Sequence, residues 1–289
     1  MGGVLKLSEL LKGAPAASAL DERTREKVEK LKARGVAPCV AMLRIGEDEG
    51  ALSYERGAEK RCGKVGIIAR KIVLPTDVTQ SDLLDTVRSL NEDKTVHGIL
   101  LFRPLPSAID EKEVCSAIAP RKDVDGITPS SMLKAYSGTG EGFTPCVAAA
   151  VTELLGFYNI PLAGKRAVVI GRSLAVGRPV SMLLMHEDAT VSVCHTKTQN
   201  LAEISRNADI VVTAAGAGER FGRECFRAGQ TVVDIGITWS ESKQKLVGDV
   251  NFDEAAPLVS AISPVPGGVG SMTSAILAHH VAQAAEKLL

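Results

Sequence analysis

The run Val168-Val169-Ile170-Gly171-Arg172-Ser173-Leu174-Ala175-Val176-Gly177-Arg178-Pro179 constrains the fold of this chain more than any other stretch. An apolar, β-branched segment stops at a glycine, and an amphipathic helical pattern takes over within a few residues. That order predicts a strand–turn–helix unit whose helix N-terminus presents unpaired N–H groups to an anion. Gly171 permits the sharp turn, and Gly177 permits close approach of the helix or of a ligand to the backbone. The spacing is Gly-x5-Gly, not the commoner Gly-x-Gly-x-x-Gly, so a turn without ligand is the alternative this segment leaves open.

A helix over 180–187 follows, and the next strand pattern runs from Ala189 into Cys194-His195-Thr196-Lys197-Thr198. In a dinucleotide site the end of this second strand meets the adenosine ribose, where NAD proteins usually place a carboxylate. Here hydroxyl and cationic donors stand instead, which suits a 2′-phosphate, and Arg172 can add a guanidinium to it. NADP is therefore the expected cofactor. Ordinary solvated strand-end residues are the alternative for His195 and Lys197. Apolar runs over 209–216 and 231–237 read as parallel strands buried on both faces, each reaching a glycine where a doubly wound sheet meets its ligand. The residues expected at the dinucleotide are Gly171, Arg172, Ser173, Gly177, Thr196 and Ile237.

With 289 residues there is room for two domains. Lys+Arg and Asp+Glu balance at 34 each, which removes the field that would attract nucleic acid or an anionic membrane. At 3% the aromatics are also too few for a base-stacking platform. Cys39, Cys62, Cys115, Cys146, Cys194 and Cys225 form no Cys-x-x-Cys pair, so buried free thiols in a reducing compartment are expected and no metal site is. Residues 1–7 lack the apolar core of a signal peptide, and no stretch is long enough to span a bilayer, which points to the cytoplasm. The first half alternates helix (21–34, 51–66, 81–91) with strand (38–46, 67–74, 97–102), a second α/β domain. The glycine-rich stretch 137–142 precedes a long helix starting near Cys146. The expected division is therefore 1–145, completed by a final helix over 271–289, and 146–270.

Six motifs occur in order: Lys122-Asp123-Val124-Asp125-Gly126, Thr144-Pro145-Cys146, Gly171-Arg172-Ser173 through Pro179, Cys194-His195-Thr196-Lys197-Thr198, Val247-Gly248-Asp249-Val250, and Pro264-Val265-Pro266-Gly267-Gly268-Val269-Gly270. Along nearly its whole length the chain resembles the methylenetetrahydrofolate dehydrogenase/methenyltetrahydrofolate cyclohydrolase (FolD) family. The resemblance implies two α/β domains around a cleft, the second a Rossmann-like doubly wound parallel sheet. It also implies tetrahydrofolate derivatives as substrates and usually a homodimer. By the same resemblance Asp125 pairs with the amide-like edge of the pterin, Tyr54 stacks on the aminobenzoate ring, and the loop with Pro264 and Gly268 lies against the flat ligand.

The chain departs from the family at the catalytic lysine, four residues after the tyrosine, where it has Ala58. Lys60 is about 200° around the helix from that position. Arg61 points nearer the same way, but a guanidinium makes a poor base. Phe102 replaces the glutamine that bonds the family's lysine, and Arg103 follows it. Ala51, Val147 and Ser271 are smaller departures. The resulting expectation is a dehydrogenase with weak or absent cyclohydrolase activity. A bifunctional enzyme with Lys60 or Arg103 as base, a non-catalytic folate- or NADP-binding homologue, and a dehydrogenase for another substrate stay open.

Overall fold

The computed structural model describes residues 8–288, so the reading of residues 1–7 lies outside it. In chain order the first elements are β1 (Glu9–Leu10), α1 (Gly13–Ala33), β2 (Cys39–Ile45), α2 (Glu49–Lys64), β3 (Ile68–Leu74), α3 (Gln80–Glu92), β4 (Gly98–Leu101), α4 (Glu111–Ala117), α5 (Pro129–Ser137) and α6 (Cys146–Phe157). Then come β5 (Arg166–Ile170), α7 (Gly177–His186), β6 (Thr190–Cys194), α8 (Leu201–Arg206), β7 (Ile210–Thr213), β8 (Thr231–Asp234), β9 (Thr238–Ser240), β10 (Lys245–Val247), α9 (Phe252–Ala255), β11 (Ala261–Ile262) and α10 (Thr273–Lys287). They form two compact α/β units. One is Ser18–Cys146 with the residues after Thr273; the other is Val147–Thr273 with the described residues up to Ala17.

In the first unit β2 lies between β3 and β4 in a three-stranded parallel sheet. The central strand is buried along nearly its whole length, as its apolar run from Cys39 to Leu43 requires when helices cover both faces. Helix α3 starts at Thr79, whose hydroxyl accepts from the Asp82 N–H at 3.2 Å. It buries Leu83, Leu84, Val87 and Leu90 against Ala41, Leu43, Ile99 and Leu101 of the sheet. Burial of each such side chain is worth about 1.5–3 kcal/mol. Helix α10 docks on α1 of the same unit through Thr24 Oγ1 and His279 Nδ1, 2.9 Å apart.

The second unit is a six-stranded parallel sheet in the order β1-β11-β8-β7-β5-β6, with β9 and β10 as a separate antiparallel hairpin. Strand order reverses at β5, which has β6 on one side and β7 on the other. Ala167, Val168, Val169 and Ile170 of β5 are all buried.

Several boundaries fall elsewhere than the sequence pattern places them. The two units meet in sequence between Cys146 and Val147, and residues 8–17 join the second unit and not the first. Glu9 and Leu10 pair with Ala261 and Ile262 through backbone groups alone, which leaves no side-chain pattern to read. Helix α7 begins at Gly177, three residues before the expected start, because Pro179 falls in the first turn, where N–H groups have no intrahelical acceptor. Strand β6 stops at Cys194, and 195–198 form a turn in which Thr198 Oγ1 accepts from the His195 N–H. All six cysteines are buried and unbridged. Among the described residues no helix is long and apolar enough to cross a membrane.

Candidate functional site

Helix α2 is capped by Asp48, which accepts from the Ala51 N–H at 2.9 Å. Its buried stripe is Glu55, Ala58 and Cys62, three and four residues apart. Ala58 is fully enclosed at 0% exposure. Tyr54 borders the stripe and meets Phe102 edge to face, with centroids 5.9 Å apart and planes at 80°. Phe102 is placed by the sheet: its N–H donates to Leu43 O at 2.9 Å, one step past β4. Burial first, and then the nearby Asp125 charge, hold the proton on the Tyr54 hydroxyl.

The cations of α2 are committed or outward. Arg61 lies 2.6 Å from Asp21 Oδ2, which Lys64 shares at 2.8 Å, and Lys60 is exposed. Buried Glu55 accepts from Arg44 Nε at 2.9 Å. The structure thus brings Tyr54 and Phe102 together beside Ala58, with Arg61 held on α1.

The Lys122-Asp123-Val124-Asp125-Gly126 loop divides its charges. Lys122 Nζ donates to Leu90 O at 2.9 Å and Asp93 O at 2.7 Å, closing the C-terminal end of α3. Asp123 accepts from the N–H groups of Ile127 and Thr128 at 3.0 and 2.7 Å. Asp125 is left for other work. Burial raises its carboxyl to about 6, Asp123 adds to this, and Arg103 and the Cys146 thiol oppose it. Behind it His280 Nδ1 sits 2.9 Å from Val124 O, and since a carbonyl only accepts, Nδ1 carries the proton. Burial lowers the His280 imidazole to about 4, which keeps it neutral. Nothing in the spacing of Val124, Cys146 and His280 could have joined them beforehand.

In the second unit, Gly171 has φ 139° and its α-carbon packs so closely on Ala214 that a Cβ would collide with the Ala214 carbonyl. A Cβ on Gly177 would likewise collide with the Gly171 carbonyl. Both glycines are thus required by backbone contact. The α7 N-terminus, expected to be open, is closed by its own loop. Ser173 Oγ accepts from the N–H groups of Val176 and Gly177, and Ser173 O accepts from Arg178. Pro179 has no N–H to offer. Arg172 and the side chain of Ser173 remain exposed.

Ile170 pairs with Cys194, and the Gly171 N–H donates to Cys194 O at 2.9 Å, which sets Arg172 and the 195–198 turn at neighbouring strand ends. Thr196 and Lys197 are exposed there, and the turn carries no carboxylate. Ile237 is 60% exposed just before β9. The 264–270 loop is locked to the start of α1: Gly13 N donates to Gly267 O at 2.8 Å, and a Cβ on Gly268 would meet Pro264 O at 2.6 Å. Asp234 and Asp249, buried at the same sheet edge, were left without a role by sequence reasoning; the Val247-Gly248-Asp249-Val250 motif was the signal for Asp249, and Asp234 lay within the apolar run 231–237. Among the described residues no group of three or more His, Cys, Asp or Glu could hold a metal ion.

Comparison with known proteins finds two family profiles along the chain. Residues 11–125 match the profile of the tetrahydrofolate dehydrogenase/cyclohydrolase catalytic domain, and residues 145–289 that of its NAD(P)-binding domain. The bifunctional protein FolD of Carboxydothermus hydrogenoformans is 42% identical over 98% of this chain and 99% of its own. The crystal structure of the bifunctional FolD enzyme of Campylobacter jejuni, a methylenetetrahydrofolate dehydrogenase/cyclohydrolase, superposes with a TM-score of 0.94 at 39% identity, covering 98% and 100% of the two chains. The Trypanosoma brucei methylenetetrahydrofolate dehydrogenase-cyclohydrolase, solved with NADP and an inhibitor, gives 0.90 at 34% identity and 98% of each chain. Two family profiles that between them span most of the chain, and full-length relatives above 40% identity, place this protein in the tetrahydrofolate dehydrogenase/cyclohydrolase (FolD) family.

Proposed function

We propose that this chain is a 5,10-methylenetetrahydrofolate dehydrogenase that uses NADP, forms 5,10-methenyltetrahydrofolate, and has weak or absent cyclohydrolase activity. The observation that carries the reading is Ala58, fully buried on α2 four residues after Tyr54, where the resemblance to the family puts the catalytic lysine. Tyr54 offers a ring face for the aminobenzoate of the substrate. Asp125 is the carboxylate for the donors of the pterin edge, its own loop having consumed Lys122 and Asp123 structurally.

The dinucleotide fits the second unit on three counts. The Gly171–Gly177 contact brings bare backbone to the sheet edge, Arg172 is exposed, and the β6 exit has Thr196 and Lys197 where an NAD site would carry a carboxylate. Gly171, Arg172, Ser173, Gly177, Thr196 and Ile237 are the residues assigned to hold it. When bound, NADP supplies the acceptor for the hydride leaving the methylene carbon, a departure driven by the substrate's own nitrogen lone pairs. The protein need only orient the substrate for this oxidation. Hydrolysis of the methenyl bridge instead moves protons, for which a side-chain base is worth about 10²–10⁴-fold. Ala58 supplies none, and Arg61 is held by Asp21.

A second reading, the bifunctional enzyme, is favoured by the name of the relative at 42% identity. In that case Lys60 or Arg103 serves as base. Assaying purified protein with methylenetetrahydrofolate and NADP separates the two readings. Equal accumulation of reduced cofactor and methenyl product supports the monofunctional dehydrogenase. Methenyl product that vanishes faster than the blank, and does so less in a Lys60→Ala/Arg103→Ala double variant, supports the bifunctional one. The homodimer expected of the family is part of the proposal and is checked by light scattering.

A further inference from the structure

Asp249, just past β10, is fully buried, and its carboxylate accepts from three consecutive backbone N–H groups. Oδ2 takes Ala215 at 2.6 Å and Gly216 at 3.2 Å, and Oδ1 takes Ala217 at 2.6 Å. Asp234, at the end of β8, fixes Asp249 in turn. Asp234 Oδ1 accepts from the N–H groups of Asp249 and Gly236 at 3.1 and 2.9 Å and from Thr213 Oγ1 at 2.9 Å. Its Oδ2 accepts from the Val250 N–H at 2.9 Å. Two glycines make the space: a Cβ on Gly236 would collide with the Asp249 carboxyl, and one on Gly248 with that of Asp234. The exits of β7, β8 and β10 are thereby tied into one clamp.

What the clamp holds is the loop opposite Gly171. The Ala214 N–H donates to Ile170 O at 2.8 Å, and the Ala214 carbonyl occupies the space a side chain at Gly171 would need. The strand order reverses at β5, and doubly wound sheets bind ligands outside the carboxyl ends at such a point. One wall of that crevice is 171–177 and the other is 214–217. A buried carboxylate on three amides strengthens each bond, and losing a partner leaves buried donors unpaired.

We infer that Asp249 is a positioning residue for the dinucleotide, holding the 214–217 backbone in the arrangement that keeps the crevice beside Gly171 open, while its own carboxylate stays out of contact with the ligand. The inference rests on the NADP reading above. Asp249→Asn keeps the size of the side chain but turns an amide N–H₂ toward at least one of the loop donors. The expected result is a Kd for NADP raised about tenfold or more by calorimetry on the full chain, as loss of buried hydrogen bonds implies. The KM for NADP should rise with kcat kept within about threefold, a split that general loss of structure would not produce. The Kd for tetrahydrofolate should not move, and the 215–217 amides should lose protection from hydrogen exchange. Gly236→Ala displaces the same carboxylate without touching the loop and should reproduce the effect.

Variants that fold and bind NADP as the wild type does overturn the inference. So does failure of both to fold, which would assign Asp249 to stability alone. A wild type that binds neither NADP nor NAD overturns the cofactor reading instead.

Discussion

Along the inner face of α2 the groups able to move a proton are each committed elsewhere. Glu55 is paired with Arg44, and burial pushes the Cys62 thiol to about 12. Ala58 has no such group. Installing lysine at 58 with glutamine at 102 should therefore raise methenyl hydrolysis, by about 10²-fold at least if the new amine acts as a base. The decay of methenyl absorbance reads this directly, and an unchanged rate counts against the lysine account. Asp125 makes a separate prediction. Its carboxyl is raised to about 6, whereas an unfolded aspartate titrates near about 3.9. The fold thus favours the protonated form, a contribution complete below about pH 4 and lost as pH rises through about 6. Unliganded protein should lose on the order of 2 kcal/mol over that range. Asp125→Asn should remove this part of the slope, while Asp234, also raised to about 6 by burial, keeps its own. Urea titrations of both proteins at about pH 4 and about pH 7 test it, and parallel slopes would refute it.

At the scale of elements, helices and strands do their positioning through packing and close backbone approach. Leu83 of α3 is fully buried in the first unit, so Leu83→Ala should cost about 2–5 kcal/mol in chemical denaturation. That is a large share of the stability of an ordinary domain. Gly171→Ala sets a methyl group against the Ala214 carbonyl at a φ that side chains rarely adopt. It should weaken NADP binding by about tenfold or more while leaving tetrahydrofolate binding unchanged. Equal loss of both ligands would mean that the turn serves only the fold. Much at this scale was legible in advance. Near-continuous apolar runs ending at glycines announced β5, β7 and β8, because strands buried on both faces need such runs. The closure of the α7 N-terminus by Ser173 was not legible, since Ser173 reads equally well as a ligand to phosphate and as a cap.

The whole molecule divides into two units with separate sheets, and ligands should register that division. NADP at about 100 times its Kd should add about 2.7 kcal/mol to the state that binds it. Hydrogen exchange should then slow first within Val147–Thr273, while tetrahydrofolate slows Ser18–Cys146 together with the 264–270 loop; NADP that protects only Ser18–Cys146 would contradict the assignment. Residue identity alone determined the α/β class, the six motifs, the alanine at 58 and the missing carboxylate after β6, since each is a matter of local spacing or of a single side chain. Tertiary structure alone decided that Glu9 and Leu10 join the second sheet, that Arg61 is claimed by Asp21 from another helix, and that Asp249 holds the 214–217 loop. Those contacts join positions far apart in sequence, and most run through backbone N–H and C=O groups that every residue carries, so only their meeting in space distinguishes them.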